Sequence, residues 1–362
     1  MLASALAEDA NLDVHLVLSE NVEEKFAIGK YTAHRVLPAY PHAAKGAARV
    51  TQQVRYYAGL QKRIGSFLNE LKPDVVHTQD FHWANAPLEY QAMRRNGRKL
   101  FYTVHNVVMH SMPKRIRPLA IQRTRKAYRL CDLLFVHDDI LKTQLRNFLE
   151  SEKPEIAVTP HGILLQAGSS QSPITAERLD TKRLLFFGLA RANKGLDIAL
   201  DAFSQLEGYE LTIAGKSGGS SYWESEIAPR VENLLARSKR ISVDDRFIDD
   251  QELPDLFNRH SCVLLPYTRA FQSQSGILFL ALGARVPVVA TDVAALGTTV
   301  RRMGIGEVAP PDDPESFARA IDLLHHRDPR ELDSRFTDSQ DEWSWARCAK
   351  LTAEAYRRQT RT

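Results

Sequence analysis

The chain has 362 residues, enough for two domains at roughly 100–200 residues each, and its 44% hydrophobic and 25% charged content is that of an ordinary globular protein. A net charge of +4 gives no argument for nucleic acid, and no apolar run approaches the ~18 residues of a membrane span. The opening MLASALAEDANLD carries acids early and no basic leader, so it does not read as a signal peptide; Cys131, Cys262 and Cys348 share no metal or redox spacing, which suits buried small hydrophobes in a reducing, cytoplasmic compartment.

The first half begins unusually. Leu2 to Glu8 is helical in pattern and feeds the strand VHLVL (14–18). A doubly wound domain opens instead on a strand and a tight glycine-rich turn before that helix. The first domain is therefore expected to lack its first strand, a central one lying between VHLVL and DVVHT (74–78), and Met1 reads as an internal methionine of a longer chain. HRVLP (34–38), KLFYTVH (99–105), DLLFVH (132–137) and EIAVTP (155–160) complete the strands, with helical patterns at 50–71, 87–97 and 140–150 between them. Apolar runs alternating with helices predict parallel strands covered on both faces.

Lys114, Arg115, Arg117, Arg123, Arg125, Lys126 and Arg129 crowd one short stretch. They are either a solvated helix face or the contact for an anionic partner, such as a phosphate-bearing molecule or a membrane surface.

Residues 166–180 are polar, Ser- and Gly-containing and without apolar periodicity, which makes them the linker. The alternation then restarts: strands RLLFFGLA (183–190), ELTIAG (210–215), SVDDRFI (242–248), CVLLPY (262–267), VPVVATD (286–292) and GEVAPP (306–311), with helices at 195–206 and 313–326. Two doubly wound α/β domains are expected.

Ligands of such domains bind where strand ends meet helix N-termini. Three junctions in the second half suit a diphosphate. In FFGLARANKGLD a strand ends at Gly188 and Arg191 and Lys194 precede a helix opened by Gly195; cations beside unpaired helix amides favour phosphate. In AGKSGGSSYW, Gly215 ends a strand and Lys216 leads a Gly218–Gly219–Ser220–Ser221 stretch. After CVLLPY, the run Gln272, Ser273, Gln274, Ser275, Gly276 precedes an apolar helix; Ser273 or Ser275 would cap it, leaving the amides of Ser275, Gly276 and Ile277 for a ligand. Each has a bland alternative: a basic loop, a flexible turn, a capped core helix.

Together and in this order, FFGLARANKGLDIALDAF, LTIAGKS, FIDDQELPDLFNRHSCVLLPY, QSGILFLALGARVPVVATDVAAL and GIGEVAPPDDPESFARAIDLL resemble the retaining glycosyltransferases of family 4. PDVVHTQ, TVHN, LLFVHDD and VTPHG agree more loosely, and DEWSWARCAKLTAEAYRR is similar to the family's last helix. The resemblance implies the B-type fold, two Rossmann-like domains facing across a cleft: an acceptor-side domain at 1–165 with the returning helix 341–362, and a donor-binding domain at 166–340. It implies transfer of a sugar from a nucleotide-diphosphate donor to a glycan, lipid-linked or small-molecule acceptor, with no obligatory metal or other cofactor. Lys194 would grip the diphosphate.

The family's Arg after the strand-ending glycine falls at Leu189, for which Arg191 can substitute. Its two glutamates fall at Gln272 and Leu280, although members with SG before an apolar helix share that departure. A carboxylate accepts two strong hydrogen bonds and Leu accepts none, so a non-catalytic relative that binds a nucleotide sugar or a partner chain is the competing expectation. An epimerase or phosphorylase on the same fold is a third. Among the first-domain histidines, His77, His82, His105 and His161, the resemblance puts His105 over the donor sugar as a polarising group; the bland reading of each is a structural hydrogen bonder.

Overall fold

The computed structural model describes residues 1–24, 27–39, 46–79, 83–107, 115–164, 173–217, 221–272 and 274–360. The chain forms two compact units, Met1–Pro160 with Trp345–Thr362, and His161–Ser344.

The first unit runs α1 (Leu2–Leu6), β1 (His15–Ser19), β2 (Thr32–Leu37), α2 (Gly46–Leu71), β3 (Val75–Thr78), α3 (Ala86–Met93), β4 (Lys99–Thr103), α4 (Arg117–Leu130), β5 (Leu133–Val136), α5 (Asp139–Leu149) and β6 (Glu155–Val158). β3, β4, β5 and β6 pair in that order, all parallel. Successive side chains of a strand point to opposite faces, and here both faces are covered. Leu100, Tyr102, Leu134 and Val136 pack with Tyr90, Tyr128, Leu141 and Leu145 of the helices. Phe101, Leu133 and Phe135 meet Ala355 and Tyr356 of the last helix, Trp345–Thr360. That is why β4 and β5 read as continuous apolar runs.

β1 and β2 form a separate parallel pair, His15 opposite Thr32. VHLVL and DVVHT thus lie in different sheets. α1 packs through Leu6 on Ala349 and Ala353 of the last helix.

The second unit follows with α6 (Ala176–Asp180), β7 (Arg183–Phe187), α7 (Leu196–Phe203), β8 (Glu210–Ala214), α8 (Ala228–Ala236), β9 (Arg240–Asp244), α9 (Leu253–Asn258), β10 (Cys262–Leu265), α10 (Gly276–Gly283), β11 (Val288–Thr291), α11 (Leu296–Met303), β12 (Gly306–Ala309), α12 (Pro314–His325) and α13 (Pro329–Glu342). Its six parallel strands run β12-β11-β10-β7-β8-β9. Numbered within the unit this is the doubly wound order, which reverses direction between β7 and β10; a crevice opens at such a point beyond the strand ends.

Several elements differ from expectation, among them α6, a short helix capped by Thr175 inside the stretch expected to be linker. β9 begins two residues before the expected SVDDRFI strand and ends at Asp244, because the Ser217 amide and hydroxyl both donate to Asp245, drawing the chain into a turn there. The helix Pro329–Glu342 was not foreseen. It buries only Leu332, Phe336 and Ser339, so its apolar stripe is thin, and it is capped by Asp328, whose carboxylate accepts from the Arg330 amide.

Candidate active site

The β7 and β10 ends bring the ammonium of Lys194 over two aromatic rings. Lys194 closes a short 3-10 turn (Ala192–Lys194) between β7 and α7. Its Nζ lies 3.9 Å from the centroid of Tyr267 and 4.7 Å from that of Phe271, both just beyond β10. Burial, and then the nearby charge of Arg191, push the Lys194 amine down to about 8. No carboxylate pairs with it among the described residues. A partly buried ammonium over two aromatic rings, with no carboxylate beside it, is a candidate for meeting an anion. Arg191 is exposed two residues after Leu189, which is itself 44% exposed.

Two glycines hold this corner together. Gly195 has φ +64°, and a Cβ there would lie 1.9 Å from the Pro266 carbonyl oxygen, so the start of α7 presses directly on the β10 end. Gly215 has φ +126°, and a Cβ would lie 2.5 Å from the Gly188 carbonyl oxygen. Only glycine combines that backbone with that approach. Gly188 and Gly215 therefore serve first to bring two strand ends together, and Lys216 is exposed beside them.

Ser275 is the N-cap of α10, its hydroxyl accepting from the Leu278 amide at 3.4 Å. The same hydroxyl bonds the Tyr267 hydroxyl at 2.9 Å, which links the cap to the ring under Lys194. The Ser275 side chain is buried, so what it can offer a ligand is backbone. Ile277 Cδ1 sits 3.2 Å from where a Gly188 Cβ would be, which places α10's first turn beside the β7 end. Gln272 is exposed, and Leu280 packs against the core. Ser273 and Gly218–Ser220 lie outside the described residues.

In the first unit the strand ends carry imidazoles. His77, on β3, is partly buried, with Nδ1 2.5 Å from the Tyr356 hydroxyl and Nε2 2.8 Å from the Thr103 hydroxyl. Burial drives its pKa down to about 3 and it stays neutral; its partners are structural. His161 stacks on Phe279 at 4.4 Å and bonds the Gly162 carbonyl oxygen, both within the second unit. His105, two residues beyond β4, pairs its Nδ1 with Nε2 of His137 at 3.0 Å. His137 was missed as a candidate. The signal was its place, one residue beyond β5, the neighbour of the strand that carries His105. His82 lies outside the described residues.

The basic stretch divides. Arg123 donates to the Ala84 carbonyl, Arg125 pairs with Glu150, and Arg129 donates to the Leu149 carbonyl. Arg115, Arg117 and Lys126 are exposed beside exposed Ile116 and Leu119, and Lys114 lies outside the described residues. Three of seven cations are thus tied to the protein's own carbonyls and carboxylates. No helix among the described residues is long and apolar enough to cross a membrane, and the three cysteines are free and buried.

A six-stranded parallel sheet in the order β12-β11-β10-β7-β8-β9, with helices between its strands, defines the second unit as a Rossmann-like α/β domain. Two family models make it specific: glycosyltransferase family 4 matches residues 1–166, and glycosyl transferases group 1 matches residues 181–327. The chain belongs to the family 4 glycosyltransferases. It is 24% identical over 297 residues to D-inositol 3-phosphate glycosyltransferase of Mycolicibacterium smegmatis, covering 79% of this chain and 67% of that protein. The Mycobacterium marinum protein of the same name is 25% identical, with 69% of this chain and 55% of that protein covered. Sucrose-phosphate synthase of Thermosynechococcus elongatus shares the fold at TM-score 0.72 and 17% identity over 99% of this chain and 91% of that one. HepE of Anabaena, solved in complex with UDP, does so at TM-score 0.72 and 14% identity over 98% and 94%.

Proposed function

We propose that the protein transfers a sugar from a nucleotide-diphosphate donor to an acceptor hydroxyl, with retention of configuration and without an obligatory metal. The observation that carries this is Lys194, an ammonium partly buried on two rings at the β7/β10 switch point. Charge building on the departing diphosphate would be met by Lys194, Arg191 and the first-turn amides of α10, preorganised as in other sites that stabilise developing anions. His105 would act on a substrate hydroxyl, as donor or acceptor of a hydrogen bond. The experiment follows nucleotide release from a panel of nucleotide sugars, with and without a chelator, beside calorimetry with nucleoside diphosphates. Lys194→Ala is expected to weaken diphosphate binding about 10–100-fold, the range of a lost charge-assisted hydrogen bond. Unchanged affinity would remove the site from this loop.

We infer further that the acceptor side meets phosphate through Arg115, Arg117 and Lys126. Their exposure supports this, as does the acceptor in the names of the relatives. The phosphate could belong to a soluble sugar or polyol, or to a lipid-linked acceptor at a membrane on the cytoplasmic side. Turnover with soluble phosphorylated polyols, set against flotation with anionic vesicles at low and high salt, separates the two. Neither turnover nor salt-sensitive binding would leave these cations as a solvated helix face.

A further inference from the structure

The pairing of His105 with His137 has a direction. His137 is buried, and its Nδ1 lies 3.2 Å from the Thr159 carbonyl oxygen. A carbonyl only accepts, so that nitrogen carries the hydrogen. When His137 is neutral its Nε2 is then a bare acceptor, and the contact at 3.0 Å requires that His105 Nδ1 be the N–H. Both rings stand on loops held by extensions of the sheet: the Val104 amide donates to the Phe135 carbonyl, and the Thr159 amide to the Val136 carbonyl, each at 2.8 Å. The rings lie with centroids 5.0 Å apart and planes at 38°.

We propose that His137 is a positioning residue that fixes the tautomer of His105, so that His105 presents the Nε2 lone pair, and not an N–H, to the substrate. An isolated neutral imidazole is free to carry its hydrogen on either nitrogen; here a backbone carbonyl selects the form through one intermediate ring. His105 is thereby an acceptor for a substrate hydroxyl hydrogen, and cannot donate to a carbonyl or to a phosphate oxygen while both rings are neutral. This decides between the two roles left open above, and it rests on the reading that His105 meets a substrate hydroxyl.

The test is nitrogen NMR of histidine-labelled protein at pH 8, with the His105 signals assigned by their loss in His105→Gln. The expected spectrum shows His105 with a protonated Nδ1 and a lone-pair Nε2. A protonated Nε2 overturns the proposal whatever the activity. His137→Gln, whose side-chain oxygen can still accept at the Nε2 position, is expected to keep that spectrum and most of the turnover. His137→Phe is expected to release the tautomer and lower kcat/KM about tenfold, one hydrogen bond's worth, with nucleoside diphosphate affinity unchanged. Should the Phe variant not fold, the unaltered protein and the Gln variant still decide. Unchanged turnover in a folded His137→Phe removes the relay but leaves sugar transfer standing. Absence of turnover with every nucleotide sugar, with the expected spectrum intact, removes the proposed function but leaves the tautomer.

Discussion

Lys194 at the strand ends of the second unit and Glu89 in the helical layer of the first are both ionisable groups pushed toward neutrality by burial, one amine down to about 8, one carboxyl up to about 7. The physics is the same: removal from water penalises the charged form. Their settings differ. Glu89 is 8% exposed on α3, and its Oε1 is buried without a hydrogen-bond partner among the described residues. Lys194 stands where two parallel strands diverge, over two rings, beside a second cation and the capped start of α10. A displaced pKa therefore does not locate a site by itself. What separates the two is whether a ligand of the opposite charge can reach the group and recover the lost solvation.

The larger effect that would break this contrast is in binding. With its pKa near 8, Lys194 loses its proton within reach of ordinary buffers. A bound diphosphate would hold the proton on, so affinity should fall by up to about tenfold for each pH unit above 8. The ligand's own phosphates are fully ionised by then. In Lys194→Arg the guanidinium stays charged and the slope should vanish. Calorimetry with the best-bound nucleoside diphosphate between pH 7 and 10 reads both proteins. The same slope in each would mean that some other group titrates, and Lys194 would fall back into the company of Glu89.

Much of the second unit was legible in sequence because its signals are local. Strand, glycine, cation and helix follow one another within FFGLARANKGLD, and Ser275 stands directly before its apolar helix. What escaped depends on partners far along the chain. His137 meets His105 across 32 residues only because β4 and β5 are parallel neighbours. His77 looked as eligible as His105 until Tyr356, 279 residues away, proved to hold it. The glycine at 215 reads as part of a ligand loop, yet its requirement comes from Gly188, one residue past the end of the adjacent strand. Spacing along one segment cannot report contacts that the sheet makes between segments.

The smaller effect concerns Glu89 and needs no ligand. Its folded pKa is raised from 4.5 to about 7, so the folded state holds a proton that the unfolded state releases first. Below 4.5 both states are protonated and burial costs little. As pH rises from 4.5 to 7 the unfolded state loses its proton, and stability falls; above 7 the full cost of a buried carboxylate is present. The amides at the start of α3 offset part of that cost, since Glu89 lies in the helix's first turn. Glu89→Gln keeps the shape and cannot ionise. It should raise stability by about 1–3 kcal/mol at pH 8 and by little at pH 5. Thermal melting of both proteins at the two pH values, in the absence of any nucleotide, measures the difference. A gain of equal size at pH 5 and pH 8 would show that packing, not charge, separates Gln from Glu at this position. A loss at pH 8 would mean that the carboxylate is satisfied there, and Glu89 would then stand beside Lys194 as a group whose burial serves a partner.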